Sequence, residues 1–241
     1  MKRRLKIVAV MPAYNAAKTL IKTVRDIPAG VVDKIILVDD ASGDGTVKIA
    51  KKLGLMVVRH PLNRGYGGNQ KTCYTLALSE GAEVVVMIHP DYQYDSSLTG
   101  KLVEPIIEGR YEVMLGSRIR TRAEVIEGGM PKYKYLGNRI LTMTENVILG
   151  HNLTEYHTGF RAFHRKILER LPFHRYSDDF VFDQQILFGA VALGARIGEI
   201  AVPVRYFPEA SSINFWRSVI YGLSIIRDLG WYSISRGKRF R

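Results

Sequence analysis

Four short apolar runs, each closed by residues suited to polar chemistry, constrain this chain more than any other feature: Leu5–Val10, Lys34–Val38, Leu55–Val58 and Glu83–Ile88. They have the length of buried strands, and the spacing leaves room for one helix after each. Helices are expected from Tyr14-Asn15 to about Ile27, from the cap candidates Ser42 and Asp44 to Leu53, and from about Asn69 to Ser79, with a fifth strand at Tyr111–Leu115. Such alternation predicts an α/β fold with a mostly parallel sheet flanked by helices, whose ligands bind beyond the carboxyl ends of the strands. Asp39, Asp40, Asn63–Gly68, His89–Asp91 and Ser117-Arg118 all follow directly after such strands.

The second half is less regular. Gly128–Pro131 is a breaker and Arg120–Met130 reads as a mobile loop. Helices are expected over about Tyr133–Leu149 and Asp179–Leu193, two short strands within Arg196–Tyr206, and a last helix from near Ser212. With 241 residues the chain suits one α/β domain, residues 1–211, followed by a C-terminal amphipathic helix and basic tail, residues 212–241. Trp216, Val219, Ile220, Leu223, Ile226 and Leu229 recur at helical spacing, suiting a helix that covers the core or one that lies in a membrane interface. No apolar stretch approaches the roughly 20 residues that span a bilayer. The lone Cys73 has no disulfide partner, which favours a cytoplasmic location and a buried thiol.

A net charge of +12 points to anionic partners. No recognisable nucleic-acid-binding motif accompanies it, so phosphorylated substrates and acidic lipid headgroups are the expected ones and nucleic acid is not. The basic residues at both ends suit solvated tails or attraction to a membrane face, and a peripheral place at the cytoplasmic face is expected.

Asp39 at a strand end can accept hydrogen bonds from a base or ribose, while Asp40–Thr46 builds the turn into the next helix. Asn63–Asn69 lacks the spacing of a P-loop or a dinucleotide fingerprint, but its glycines allow close backbone approach, so it reads as a flexible turn or as an open loop closing over a nucleotide with Arg64 near its phosphates. His89-Pro90-Asp91-Tyr92-Gln93 sets an imidazole, a carboxylate and an amide at alternate positions. Asp91 and Gln93 suit Mg²⁺ or Mn²⁺ completed by diphosphate oxygens, and a histidine ligand would favour manganese, although a lone histidine in a loop is more often structural than ligating, which ranks His89 below Asp91.

Taken in order, Pro12-Ala13-Tyr14-Asn15, Asp39–Thr46, Asn63-Arg64-Gly65, His89-Pro90-Asp91, Gly116-Ser117-Arg118 and Thr158-Gly159-Phe160-Arg161 resemble the family-2 glycosyltransferases, in particular the dolichyl-phosphate mannosyltransferase branch. The resemblance runs from about residue 5 to 210. It implies a GT-A fold, a nucleotide-sugar donor (GDP- or UDP-sugar), a divalent metal, inversion at the anomeric carbon and a polyprenyl or dolichyl phosphate acceptor. It puts Pro12, Tyr14, Asn15 and Asp39 in the nucleotide pocket and makes Asp91 the second carboxylate of an Asp-x-Asp metal motif. Ser117-Arg118 match the segment that meets the acceptor phosphate, and Lys132 or Lys134 lies where a second basic contact belongs. Asp183 lies near an acidic position of related transferases and reads as a general base for a hydroxyl acceptor or as an ordinary helix carboxylate. Three departures accompany the match: Ala16 where Glu is usual, His89 for the first metal-motif Asp, and Ser211-Ser212-Ile213 without a Ser-Lys ending, which leaves Arg205 as the donor-phosphate contact. The alternatives are transfer to a soluble or polysaccharide hydroxyl, and nucleotide-sugar binding without catalysis.

Overall fold

The computed structural model describes residues 4–119, 129–203 and 215–241. Among them one sheet is formed by β1 (Ile7–Ala13), β2 (Lys34–Asp39), β3 (Met56–Arg59), β4 (Val84–Met87), β5 (Val113–Ser117), β6 (Arg161–His164) and β7 (Ile197–Ala201), in the order β3-β2-β1-β4-β6-β5-β7. The helices are α1 (Leu20–Arg25), α2 (Thr46–Lys52), α3 (Tyr66–Ser79), α4 (Thr99–Ile107), α5 (Lys132–Leu149), α6 (Arg165–Leu168), α7 (Phe182–Ala192) and α8 (Phe215–Ser235).

Central strands β1 and β4 are buried along their whole length, which is why they read as unbroken apolar runs. Their alternate side chains enter two core layers. Val8, Val10, Val85 and Met87 pack toward Tyr74 and Phe182, whereas Ile7, Ala9, Met11, Val84 and Val86 pack toward Leu20 and Leu102. The expected mostly parallel α/β sheet is therefore present. Its exception is β6, which runs antiparallel between β4 and β5. Because β6 runs the other way, its entry residues Thr158–Phe160 join the carboxyl ends of its neighbours, where the candidate chemistry lies.

Two sequence expectations change, and one helix forms that the sequence reading did not anticipate. The helix expected from Tyr14 begins only at Leu20, because Asn15 has φ 53 and its side-chain oxygen accepts from Gly43 N at 3.0 Å instead. Helix α4, interrupted in sequence by Gly100 and Pro105, forms nonetheless and buries Leu102, Val103 and Ile106. The tail does not simply extend into solvent: a turn at Lys238–Phe240 folds back, Phe240 is 3% exposed, and its carbonyl accepts from the Tyr176 hydroxyl. Cys73 is buried, as expected. No helix among the described residues is long and apolar enough to cross a membrane. The loop expected at Arg120–Met130 is described only from Gly129; its earlier part, a strand beyond Pro203, the boundary at 211/212 and Arg205 lie outside the described residues.

Candidate active site

Strand order reverses beside β1: the chain runs outward through β2 and β3, then α3 returns it to β4 on the other flank. A crevice opens at such a switch point. Three residues at its rim, Asn15, Ala41 and Tyr92, take left-handed backbone (φ 53, 61 and 59), a conformation that costs a non-glycine residue about 1–3 kcal/mol and so needs the contacts around it. The turn at Tyr92 also shows that His89, Asp91 and Gln93 meet through a bend rather than through strand alternation. The loops after β1 and β2 brace one another. Ser42 Oγ accepts from Asn15 N (2.8 Å), Thr46 Oγ1 from Ala16 N (2.8 Å) and Asp44 Oδ2 from Ala17 N (3.0 Å).

Adjacent acids at the end of β2 diverge. Asp40 organises protein: Oδ1 accepts from Arg64 N (2.8 Å) and pairs with His60 Nδ1 (2.7 Å), and Oδ2 accepts from Gly65 N (3.1 Å). Asp39 is fully buried; its Oδ2 accepts from Ser42 N (3.1 Å) and lies 3.4 Å from Arg59 Nε, while Oδ1 has no hydrogen-bond partner.

The Gly-rich segment is not an open phosphate cradle. Gly67 and Gly68 belong to the first turn of α3, and both amides donate to the Asp178 carbonyl (2.7 and 3.3 Å). A Cβ at Gly67 would meet the Ser177 carbonyl and come within 2.8 Å of Phe182 Cβ, so glycine is required by close approach. This contact seats the Ser177–Phe180 loop over a cavity of about 740 Å³ whose walls include Pro12, Tyr14, Asn15, Arg64, Gly65 and Arg217.

A second cavity, of about 510 Å³, lies between α5 and α8. The two share Tyr66, His89, Asp91 and Phe180 as common wall. At that wall Asp183, from the first turn of α7, accepts from Tyr66 Oη (2.8 Å) and Gln70 Nε2 (2.9 Å) and lies 3.5 Å from the buried Arg161 guanidinium. Burial pushes the His89 imidazole below its ordinary range, against the pull of Asp91 and Asp183. Asp91 Oδ1 accepts from Gln93 N (3.0 Å).

Deeper in the second cavity, Arg118 forks onto Glu155, Nε to Oε1 at 2.8 Å and backbone N to Oε2 at 2.7 Å, and also donates to the His157 carbonyl. Burial works to raise the Glu155 carboxyl, but the Arg118 charge and hydrogen bonds outweigh it and hold it below the usual range. Lys134 lines the same cavity, makes no ion pair among the described residues, and is lowered by burial and by nearby Arg118. Toward the mouth the walls are apolar: Tyr133 and Ile140 from α5 and Phe215, Val219, Leu223 and Ile226 from α8.

A model for glycosyl transferase family 2 matches residues 8–172. The chain belongs to glycosyl transferase family 2. Similar proteins include an uncharacterized protein of Methanocaldococcus jannaschii, 30% identical with 92% of this chain and 90% of that one covered. The UDP-N-acetylglucosamine–dolichyl-phosphate N-acetylglucosaminyltransferase of Methanococcus voltae is 29% identical (92% and 94% covered), and a dolichyl-phosphate hexose transferase of Haloferax volcanii 26% (92% of each). Among solved structures, glucosyl-3-phosphoglycerate synthase from Mycobacterium tuberculosis shares the fold at TM-score 0.70 and 22% identity, covering 93% of this chain and 79% of that one. The sheet and its flanking helices are thus the GT-A architecture, and the protein is a glycosyltransferase.

Within this family-2 glycosyltransferase, Pro12, Tyr14, Asn15, Asp40, Arg64 and Gly65 line the first cavity; Gln93, Arg118, Lys134 and Asp183 the second; His89 and Asp91 both. Asp39, Ser117 and Lys132 line neither; Asp39, expected to meet a base or ribose, is fully buried behind Asp40, which takes the place on the cavity wall. Ser117 Oγ, buried, sits 2.6 Å from Thr154 Oγ1, and Lys132 is exposed at the start of α5. Sequence reading passed over Tyr66, Phe180, Glu155 and Arg217. An aromatic residue inside a Gly-rich segment was a usable signal for Tyr66; nothing local marks Glu155, whose role depends on a partner 37 residues away.

Proposed function

We propose that this glycosyltransferase moves a sugar from a nucleotide-diphosphate sugar in the larger cavity to a polyprenyl phosphate whose chain lies between α5 and α8. The observation that carries this reading is the pair of cavities meeting at His89 and Asp91, the second grading from Arg118 and Lys134 inside to an apolar mouth. The dolichyl-phosphate names of two relatives point the same way.

Among the described residues no group of three or more His, Cys, Asp and Glu side chains could hold a metal ion. What the junction offers is the Asp91 carboxylate, with His89 and Gln93 beside it. That set fits Mg²⁺ or Mn²⁺ when substrate diphosphate oxygens and water complete the shell, as is usual for Mg²⁺, and the M. tuberculosis enzyme is known in complexes with UDP and either ion. Bound there, the cation would neutralise charge growing on the departing diphosphate. The acceptor phosphate oxygen attacks the anomeric carbon as the bond to the diphosphate breaks, inverting that centre. An ionised phosphate needs no base, so Lys134 and Arg118 orient it, and Asp183 fixes Tyr66, Gln70 and Arg161 rather than taking a proton.

The apolar stripe on α5 (Tyr133, Leu136, Ile140, Met143, Val147) and the exposed α8 residues Trp216, Ile220 and Leu223 flank the mouth, which suits a peripheral seat on a membrane. The test is transfer from a panel of UDP- and GDP-sugars to a short polyprenyl phosphate. Activity is expected for wild type with Mn²⁺ or Mg²⁺ and none for Asp91→Ala, which keeps its fold. Transfer to a polysaccharide hydroxyl but to no lipid phosphate would replace this reading.

A further inference from the structure

Tyr66 stands where the two cavities meet, and its hydroxyl has two neighbours: Asp183 Oδ2 at 2.8 Å and His89 Nε2 at 3.3 Å. A carboxylate oxygen accepts, so the single phenol proton goes to Asp183. Toward His89 the phenol oxygen is left as acceptor, and the proton between them belongs to Nε2.

Packing holds the ring in this orientation. The His89 and Tyr66 rings stack with centroids 5.5 Å apart and planes 1° from parallel, and Phe180 backs Tyr66 at 4.6 Å. Gly159 lies against the Cδ2–Nε2 edge, where a Cβ would be 2.6 and 2.7 Å from those atoms. Nδ1 is on the opposite edge and meets no hydrogen-bond partner among the described residues.

We infer that Tyr66 is a positioning residue which, through Asp183, fixes His89 as the Nε2–H tautomer and leaves Nδ1 as the nitrogen offered to a divalent cation beside Asp91. The histidine standing in the metal motif is then committed as a ligand by a hydroxyl outside that motif, from the first turn of α3. The tautomer follows from the hydrogen-bond geometry alone; the cation's part rests on the donor reading under Proposed function.

The test is imidazole ¹⁵N NMR of the full-length protein labelled on histidine, with His89→Gln identifying the resonance. The metal-free wild type is expected to carry the proton on Nε2; a proton on Nδ1 overturns the inference. Tyr66→Phe keeps the ring stack and removes the acceptor, so the signal should move toward a mixture of tautomers, and an unchanged Nε2–H signal overturns the part given to Tyr66. Adding Mg²⁺ and UDP should shift Nδ1 in wild type but not in Asp91→Ala. By calorimetry with UDP present, Tyr66→Phe should weaken Mn²⁺ binding about 10–100-fold, the usual cost of losing a group that orients a ligand. Binding of Mg²⁺ and UDP that leaves Nδ1 unmoved overturns the cation's part alone. Failure of Mg²⁺ and UDP to bind at all overturns the donor reading and that part with it, while the metal-free spectrum still decides the tautomer.

Discussion

Arg118 and Lys134 face the same cavity, yet their substitution tests different things. Arg118 is 12% exposed on a Glu155 that is wholly buried, so Arg118→Ala strands a carboxylate, a change that costs on the order of 3–5 kcal/mol, and lost activity would partly report lost structure. Lys134 holds no such partner among the described residues. Lys134→Ala should leave the melting temperature nearly unchanged and raise KM for a polyprenyl phosphate roughly 10–100-fold, from about 1.5–3 kcal/mol for a charge-assisted hydrogen bond; an unaltered acceptor KM would remove Lys134 from the phosphate site. Glu155 also gives a pH test. Its folded pKa lies below the ordinary glutamate value of 4.5, so the stability it contributes is fully present above that value and is lost as pH falls through the lower folded one. Denaturant unfolding should therefore show Glu155→Gln less stable than wild type at neutral pH, with the gap narrowing in acid; a gap that widens on acidification would contradict the ion pair.

At the scale of elements, the contact between α3 and the Ser177–Phe180 loop shapes the donor cavity. Gly67→Ala forces a Cβ into the Ser177 carbonyl and against Phe182, and overpacking of this kind costs about 1–3 kcal/mol. Thermal unfolding should report that loss, and calorimetry a weaker nucleotide affinity because the loop must retreat; a variant with wild-type melting and UDP binding would show that the loop does not depend on this seat. Helix α8 is clamped to α7 by consecutive glutamines. Gln184 Nε2 donates to Tyr221 Oη (2.8 Å) and Gln185 Nε2 to Asp228 Oδ2 (2.7 Å), while Gln185 Oε1 accepts from Ser177 N (2.7 Å). The helix that lines the second cavity is thereby tied to the loop that covers the first.

Across the whole molecule, the exposed apolar stripes of α5 and α8 open on one groove, and the net charge of +12 favours an anionic lipid face. Full-length protein should bind anionic liposomes at low salt, with binding falling as salt rises and falling further in Trp216→Ala/Leu223→Ala; indifference to such liposomes would argue against the peripheral seat. The sequence by itself determined the elements whose signal is local. The buried runs of β1, β2 and β4 read directly, and the ordered motifs from Pro12 to Arg161 marked the strand-end residues. Helix α4 escaped because Gly100 and Pro105 mask its pattern, and the Gly-rich segment looked like an open loop because Asp178, its partner, lies over 100 residues away. Only the tertiary structure decided that Asp40 serves the protein while Asp39 keeps an oxygen unmet, that Arg118 is neutralised by Glu155, and that Tyr66 joins the cavities. These depend on which distant groups burial brings within hydrogen-bond reach, and sequence spacing carries no record of that distance.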